Sequence, residues 1–234
     1  MKILVIHMGL PKAASTFIQK QIFAHIDDYD VLSDPKKYKN LRSLTKKIFY
    51  SLSRNDQIDI TLVNSFAEEM TRQIKRSKKT KFIFSCEAIL NFYRFNGEQN
   101  ILYLSKIINV LGKNNQIQIK PVIVIRKQKD LIHSVYAYSH DVFRTEFKNI
   151  SEFIEKPFEN KFKKFFEYLD YGKLFVFLEN SLNLSPHVLF FEELSMYPKR
   201  FISEFEMILE TVINKDILII DKVNSISDGN AKKI

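Results

Sequence analysis

The sequence predicts a three-layer α/β/α domain built on a central parallel sheet. Three observations lead there. Short apolar runs rich in Ile and Val alternate along the chain with longer stretches of helical periodicity, as in strands joined by crossover helices. Hydrophobic residues make up 45% of the 234, enough for a sheet buried on both faces. Gly and Pro are scarce, 5 and 6 respectively, and no repeat, low-complexity tract or linker divides the chain. Residues 1–234 are therefore expected to form a single domain.

The elements follow in order. Lys2 to His7 is a compact apolar run bounded by Gly9 and Pro11, read as a buried first strand. From Ser15 to Ile26, the apolar positions Phe17, Ile18, Ile22, Phe23 and Ile26 keep helical spacing, with Ser or Thr at hand for a cap. Residues 30–55 are polar, with apolar patches at Leu41, Leu44 and Ile48 that fit loops and one short helix. A helix is expected over Ile58–Ser77, then a second strand over Lys81–Phe84 ending at Ser85, Cys86 and Glu87. Glu98–Leu111 is helical, with Gly112 as its C-cap. Gln116–Ile125 holds the third strand, ending at Arg126, and Gln128–Phe143 the helix after it. Helices over Ser151–Glu155, Lys161–Leu169 and Leu174–Leu182 precede a fourth strand, His187–Phe191. The Phe-rich stretch around Phe162, Phe165 and Phe166 reads as core. Pro198 opens a late helix to Thr211 at a favoured first-turn position. Ligands of such sheets bind beyond the carboxyl ends of the strands, here just after His7, Phe84, Ile125 and Phe191.

Composition narrows the function. A net charge of +9 favours an anionic partner. The lysine runs themselves, such as Lys36-Lys37 and Lys46-Lys47, read as solvated faces. Cys86 is the single cysteine, which excludes an intrachain disulfide and a cysteine metal cluster and fits a reducing, cytoplasmic setting. None of the five histidines has ligand spacing, so no metal is expected. The first apolar run breaks at His7, too early for a signal peptide. No segment reaches the roughly 18 apolar residues of a membrane span, though peripheral contact with an acidic membrane face stays open. No nucleic-acid motif is present, and the charge is spread along the chain, so no nucleic-acid partner is expected.

Chemistry concentrates at the strand ends. After the first strand comes Gly9-Leu10-Pro11-Lys12-Ala13-Ala14-Ser15-Thr16. A strand–loop–helix unit aims free backbone N–H groups and the positive end of the helix dipole at one point. Lys12 adds a full charge, Ser15 and Thr16 add hydroxyls, and Ala13 and Ala14 allow close approach of an anion. The loop is no Walker A motif, because no second Gly precedes the Lys. After the third strand stands Arg126, with Ser134 eight residues on; an Arg fork suits phosphate. After the second strand stands Glu87, a carboxylate able to take a proton. His133 and His140 are rivals for that role, and His7 is either packed or at the rim of the loop.

These segments together resemble the sulfotransferases that use 3′-phosphoadenosine 5′-phosphosulfate (PAPS), a family with a P-loop NTPase-like fold. Pro11, Lys12, Ser15 and Thr16 match the family's P-K-x-G-[ST]-[ST] loop, with Ala14 where Gly is usual and Gln19 where many members carry it. Arg126 and Ser134 match its 3′-phosphate signature, with Asp130 and Tyr136 at positions where relatives often have those residues. Glu87 resembles the base of the carbohydrate-directed and bacterial branch. The resemblance implies that Lys12 and residues Ala13, Ala14, Ser15 and Thr16 hold the phosphosulfate. It implies that Arg126 and Ser134 hold the 3′-phosphate, and that Lys12 and Glu87 are catalytic. The expected acceptor is a hydroxyl of a carbohydrate or glycolipid. Val188 to Leu194 and the helix after it resemble the family's late strand and turn, with Glu192 and Glu193 structural. Lys222 to Ser225 resembles a tail that closes near the nucleotide. Residues 28–60 and 92–100, where acceptor specificity normally resides, have no counterpart. Two other readings stay open on sequence alone: a nucleotide-dependent kinase of the P-loop type, and a non-catalytic binder of polyanions or nucleotides.

Overall fold

A computed structural model describes residues 1–51, 59–113, 117–143, 147–156 and 162–213, the side chains of 139–143 excepted. The expected parallel sheet is present. It has five strands: β1 (Lys2–Gly9), β2 (Tyr29–Val31), β3 (Lys81–Ser85), β4 (Ile117–Ile125) and β5 (His187–Phe190). Their order across the sheet is β2-β3-β1-β4-β5, with every neighbouring pair parallel. β1 is central, so the crossovers leave it in both directions and create a crevice at its carboxyl end.

Register decides what faces each side. Ile6 pairs with Phe84 and His7 with Ser85, so these two pairs point to opposite faces. On the Phe84 side lie α2 (Lys39–Phe49) and α3 (Ile60–Arg76), through Phe49 and Phe66. Helix α4 (Gly97–Gly112) packs on α3, and α8 (Tyr171–Leu182) packs on α4. On the His7 side, Phe23 meets the His7 ring edge-on at 5.4 Å and Phe205 at 5.8 Å. Phe205 belongs to α10 (Pro198–Leu209). Sheet and helices thus form three layers.

Strand β2 is an addition to the four strands expected. Tyr-Asp-Val is too short to show a period, and its middle residue is a buried carboxylate. Asp30 is tolerated there because Lys37 pairs with it at 2.5 Å and Ser77 Oγ donates to it at 2.9 Å.

The first helix is less regular than its spacing implies. An α turn, α1 (Ser15–Phe17), passes into a π segment, Ile18–Ile22, and a 3₁₀ turn, Phe23–His25. No Ser or Thr side chain caps it; Ala14 holds the N-cap position in the left-handed region, with φ 60°. Gly112 likewise does not act as a left-handed cap. It ends α4 inside the helix, and Lys113 follows with φ −58°, so glycine's freedom is unused.

Asp59 and Asn96 cap α3 and α4 by accepting from Leu62 N and Gln99 N, at 3.0 and 3.1 Å. Helix α5 spans Gln128–Phe143 as expected, α6 is Ile150–Glu155 and α7 is Lys163–Glu167. Phe153, Phe162 and Phe165 are buried against one another and their neighbours, which makes the aromatic stretch core. Phe191 leaves β5 to start α9 (Phe191–Met196), and Pro198 opens α10. The expected helix starts at Ile58 and Lys161, the strand start at Gln116, and the tail at Lys222 to Ser225 lie outside the described residues.

Candidate active site at the carboxyl end of the sheet

The loop after β1 is built by unusual backbone. Lys12 and Ala14 both have positive φ, 65° and 60°, and Ala13 between them does not. Alternating handedness of this kind turns successive N–H groups toward one concavity, as in an anion-binding nest. Ala14 adopts this conformation at a cost that a glycine would not bear, since a Cβ is strained there.

Gly9 makes the loop's other close approach. A Cβ at Gly9 would overlap Ser15 Oγ and lie 3.0 Å from Ser15 Cβ. Ser15 is buried, and its hydroxyl has no hydrogen-bond partner among the described residues. Thr16 is exposed. A buried hydroxyl without a partner costs free energy unless a ligand supplies one, so the loop's chemistry fits an anion.

Lys12 points its amine onto the ring of Tyr138, 3.6 Å from the centroid. Burial lowers its pKa, with Arg126 acting in the same direction and Glu87 opposing. Glu87 is exposed just beyond the end of β3, so cradle and carboxylate face a common space. Cys86 beside it is buried, and burial pushes its thiol up to about 12, which rules it out as a thiolate nucleophile near neutral pH.

His7 is packed rather than at the rim. Its Nδ1 lies 2.8 Å from Ser85 Oγ, which also accepts from Gln19 Nε2 at 2.9 Å. Burial pushes His7 down to about 4, so the ring is neutral and ties β1, β3 and the first helix together beneath the loop.

Arg126 reaches the loop from β4. Its Nη1 donates to the Lys12 carbonyl at 2.9 Å, and its guanidinium lies over Phe191, 4.6 Å from the centroid. Its Nε is buried without a partner among the described residues. Tyr171 OH donates to the Arg126 carbonyl. The structure therefore joins Arg126 to the loop. Ser134 is half-buried on α5 and is not part of the cleft wall; His133 is exposed and does not line it either. The side chain of His140 lies outside the described residues.

The cleft itself has a volume of about 370 Å³. One wall is the loop, with Pro11, Lys12, Ala14, Ser15 and Thr16. The turn after the neighbouring strand β3 supplies Glu87, Ala88, Asn91, Tyr93, Arg94 and Phe95, and Tyr50 and Tyr138 complete the lining. Ala13 is buried within the loop. Seven lining residues carry no motif of their own in the sequence: Tyr50, Ala88, Asn91, Tyr93, Arg94, Phe95 and Tyr138. Tyr138 was within reach of one, because it stands a helical turn after Ser134. The others lie in stretches without period or motif. Among the described residues, no group of three His, Cys, Asp or Glu side chains is arranged to hold a metal.

The fold is similar to that of a sulfotransferase from Alicyclobacillus acidocaldarius. The TM-score is 0.53 at 13% sequence identity, over 91% of this chain and 87% of the other. No protein-family model and no curated protein matches the sequence. At that identity the likeness is one of fold, and the chain accordingly has the α/β architecture of a sulfotransferase: a five-stranded parallel sheet flanked by helices.

Proposed function

We propose that the chain, as a single domain over residues 1–234, is a PAPS-dependent sulfotransferase acting on an acceptor hydroxyl of a carbohydrate or glycolipid. One observation carries this reading. A strained loop, with the Lys12 cation and a buried Ser15 hydroxyl that has no partner among the described residues, lines one cleft with Glu87 at the carboxyl end of the sheet. Lys12 and the amides of Ala14, Ser15 and Thr16 would hold the phosphosulfate, with Ala13, whose N donates to the Leu10 carbonyl at 3.1 Å, shaping the loop between them. Arg126 and Ser134 would hold the 3′-phosphate; the Nε of Arg126 is a buried donor without a partner among the described residues.

Transfer is then an in-line displacement. The acceptor oxygen forms a bond to sulfur while the bond from sulfur to the bridging phosphate oxygen breaks. The acceptor proton passes to the Glu87 carboxylate, and Lys12 stabilises the charge on the departing oxygen. Positioning and electrostatics supply the rate, as in phosphoryl transfer. Glu87 is preferred over His133 because only Glu87 lines the cleft. Aromatic rings at Tyr50, Tyr93 and Phe95 suit the apolar faces of a sugar. No helix among the described residues is long and apolar enough to cross a membrane. The lone buried Cys86 agrees with a cytoplasmic setting.

A screen of glycan acceptors with radiolabelled PAPS tests the reading. Lys12→Ala is expected to lower transfer by at least about 100-fold, the loss typical of one transition-state charge contact, with an unchanged melting temperature. Undiminished transfer in that variant contradicts the mechanism.

A further inference from the structure

The cleft carries a cation that the transfer reaction leaves unused. Arg94 lines it from the turn after β3 and is exposed. It has no acidic partner among the described residues. Its backbone is fixed, with Arg94 N donating to Asn91 Oδ1 at 2.9 Å and Phe95 N to Asn91 O at 3.2 Å. Its guanidinium lies over the Phe95 ring, 5.6 Å from the centroid, and Phe95 in turn meets Tyr50 edge-on at 5.1 Å. A guanidinium laid on a ring keeps its N–H fork free for an oxyanion.

Topology places Arg94 apart from Arg126. In the strand order β3-β1-β4 the turn after β3, which carries Glu87 and Arg94, flanks the loop on one side, and the end of β4, which carries Arg126, flanks it on the other. A donor held at Lys12 puts the reacting sulfur near Glu87, and Arg94 then faces what lies on the acceptor side.

We infer that Arg94 is a specificity-determining residue that holds an anionic group, a carboxylate or a sulfate ester, on a saccharide acceptor whose ring rests on Tyr50 and Phe95. This rests on the sulfotransferase reading of the cleft. The surplus of positive charge over the whole chain, +9, favours the approach of such an acceptor.

Three matched probes test it in the PAP-loaded protein (PAP being 3′-phosphoadenosine 5′-phosphate) by ligand-observed NMR: phenyl β-glucuronide, phenyl β-glucoside, and the glucoside 6-sulfate. The glucuronide or the 6-sulfate is expected to bind about tenfold more tightly than the neutral glucoside, the scale of one charge-assisted contact. Which of the two does so identifies the anion. Arg94→Ala is expected to erase the difference and Arg94→Lys to keep part of it, with PAP affinity unchanged in both. Equal affinity for the three probes, or binding of none, overturns the inference. Loss of PAP affinity in Arg94→Ala also overturns it, by placing the guanidinium on the donor. If PAP itself fails to bind, the donor reading falls, and the same comparison on the free protein still decides the role of Arg94.

Discussion

Lys12 is the point where Glu87, Arg126 and the Tyr138 ring converge. Its carbonyl is held by Arg126, its amine by the Tyr138 ring, and Glu87 opposes the effect of burial on its pKa. Neither Tyr138 nor the Arg126 contact is a feature of the loop's own sequence; both come from strands and helices more than a hundred positions away. The ring keeps the amine at the cleft without neutralising it, as a carboxylate would. A face of this kind offers about 0.5–2 kcal/mol to a cation. Tyr138→Leu is accordingly expected to lower transfer several-fold while Tyr138→Phe retains it, because phenylalanine keeps the π face. Kinetics on the two variants check this, and equal losses in both would assign the role to the hydroxyl instead.

At the level of elements, the loop after β1 shows what sequence periodicity can and cannot carry. Strand β1, the helical character of 15–26, α5, β5 and the Pro198 start of α10 follow from apolar spacing and punctuation, and the structure has them. The two left-handed residues do not follow, because Lys12 and Ala14 are not residue types that advertise positive φ. Nor does β2, three residues long and recruited by pairing with β3. The turn from Ala88 to Phe95 is equally silent in sequence, yet it supplies a whole wall of the cleft. Its shape is set by tertiary contacts, such as Asn100 Nδ2 donating to the Ala88 carbonyl at 2.7 Å. The strain at Ala14 gives a stability prediction. Ala14→Gly removes a left-handed alanine and is expected to stabilise by about 1 kcal/mol, a rise of about 2–4 °C in melting temperature for a chain of this size. A lower melting temperature would mean that packing of the buried Ala14 methyl outweighs the backbone strain.

For the whole molecule, topology brings the separate motifs together. Segments after β1, β3 and β4 are distant in sequence, but these strands are neighbours at the centre of the sheet. Their carboxyl ends therefore share one crevice, which was legible from the alternation of strands and helices alone. Lys12, Ser15, Thr16 and Glu87 do meet there, and Arg126 reaches the same loop. Ser134 stands apart on α5, so its share in the site depends on the nucleotide extending beyond the cleft toward that helix. The proposed reaction requires this crevice to recognise a nucleotide with a 3′-phosphate. Titration calorimetry with PAP and with ADP tests it most directly, since neither needs an acceptor. PAP is expected to bind at least about tenfold more tightly than ADP, the scale of one charge-assisted phosphate contact, and Arg126→Ala to remove most of that margin. Equal affinity for PAP and ADP in the unaltered protein would contradict the claim.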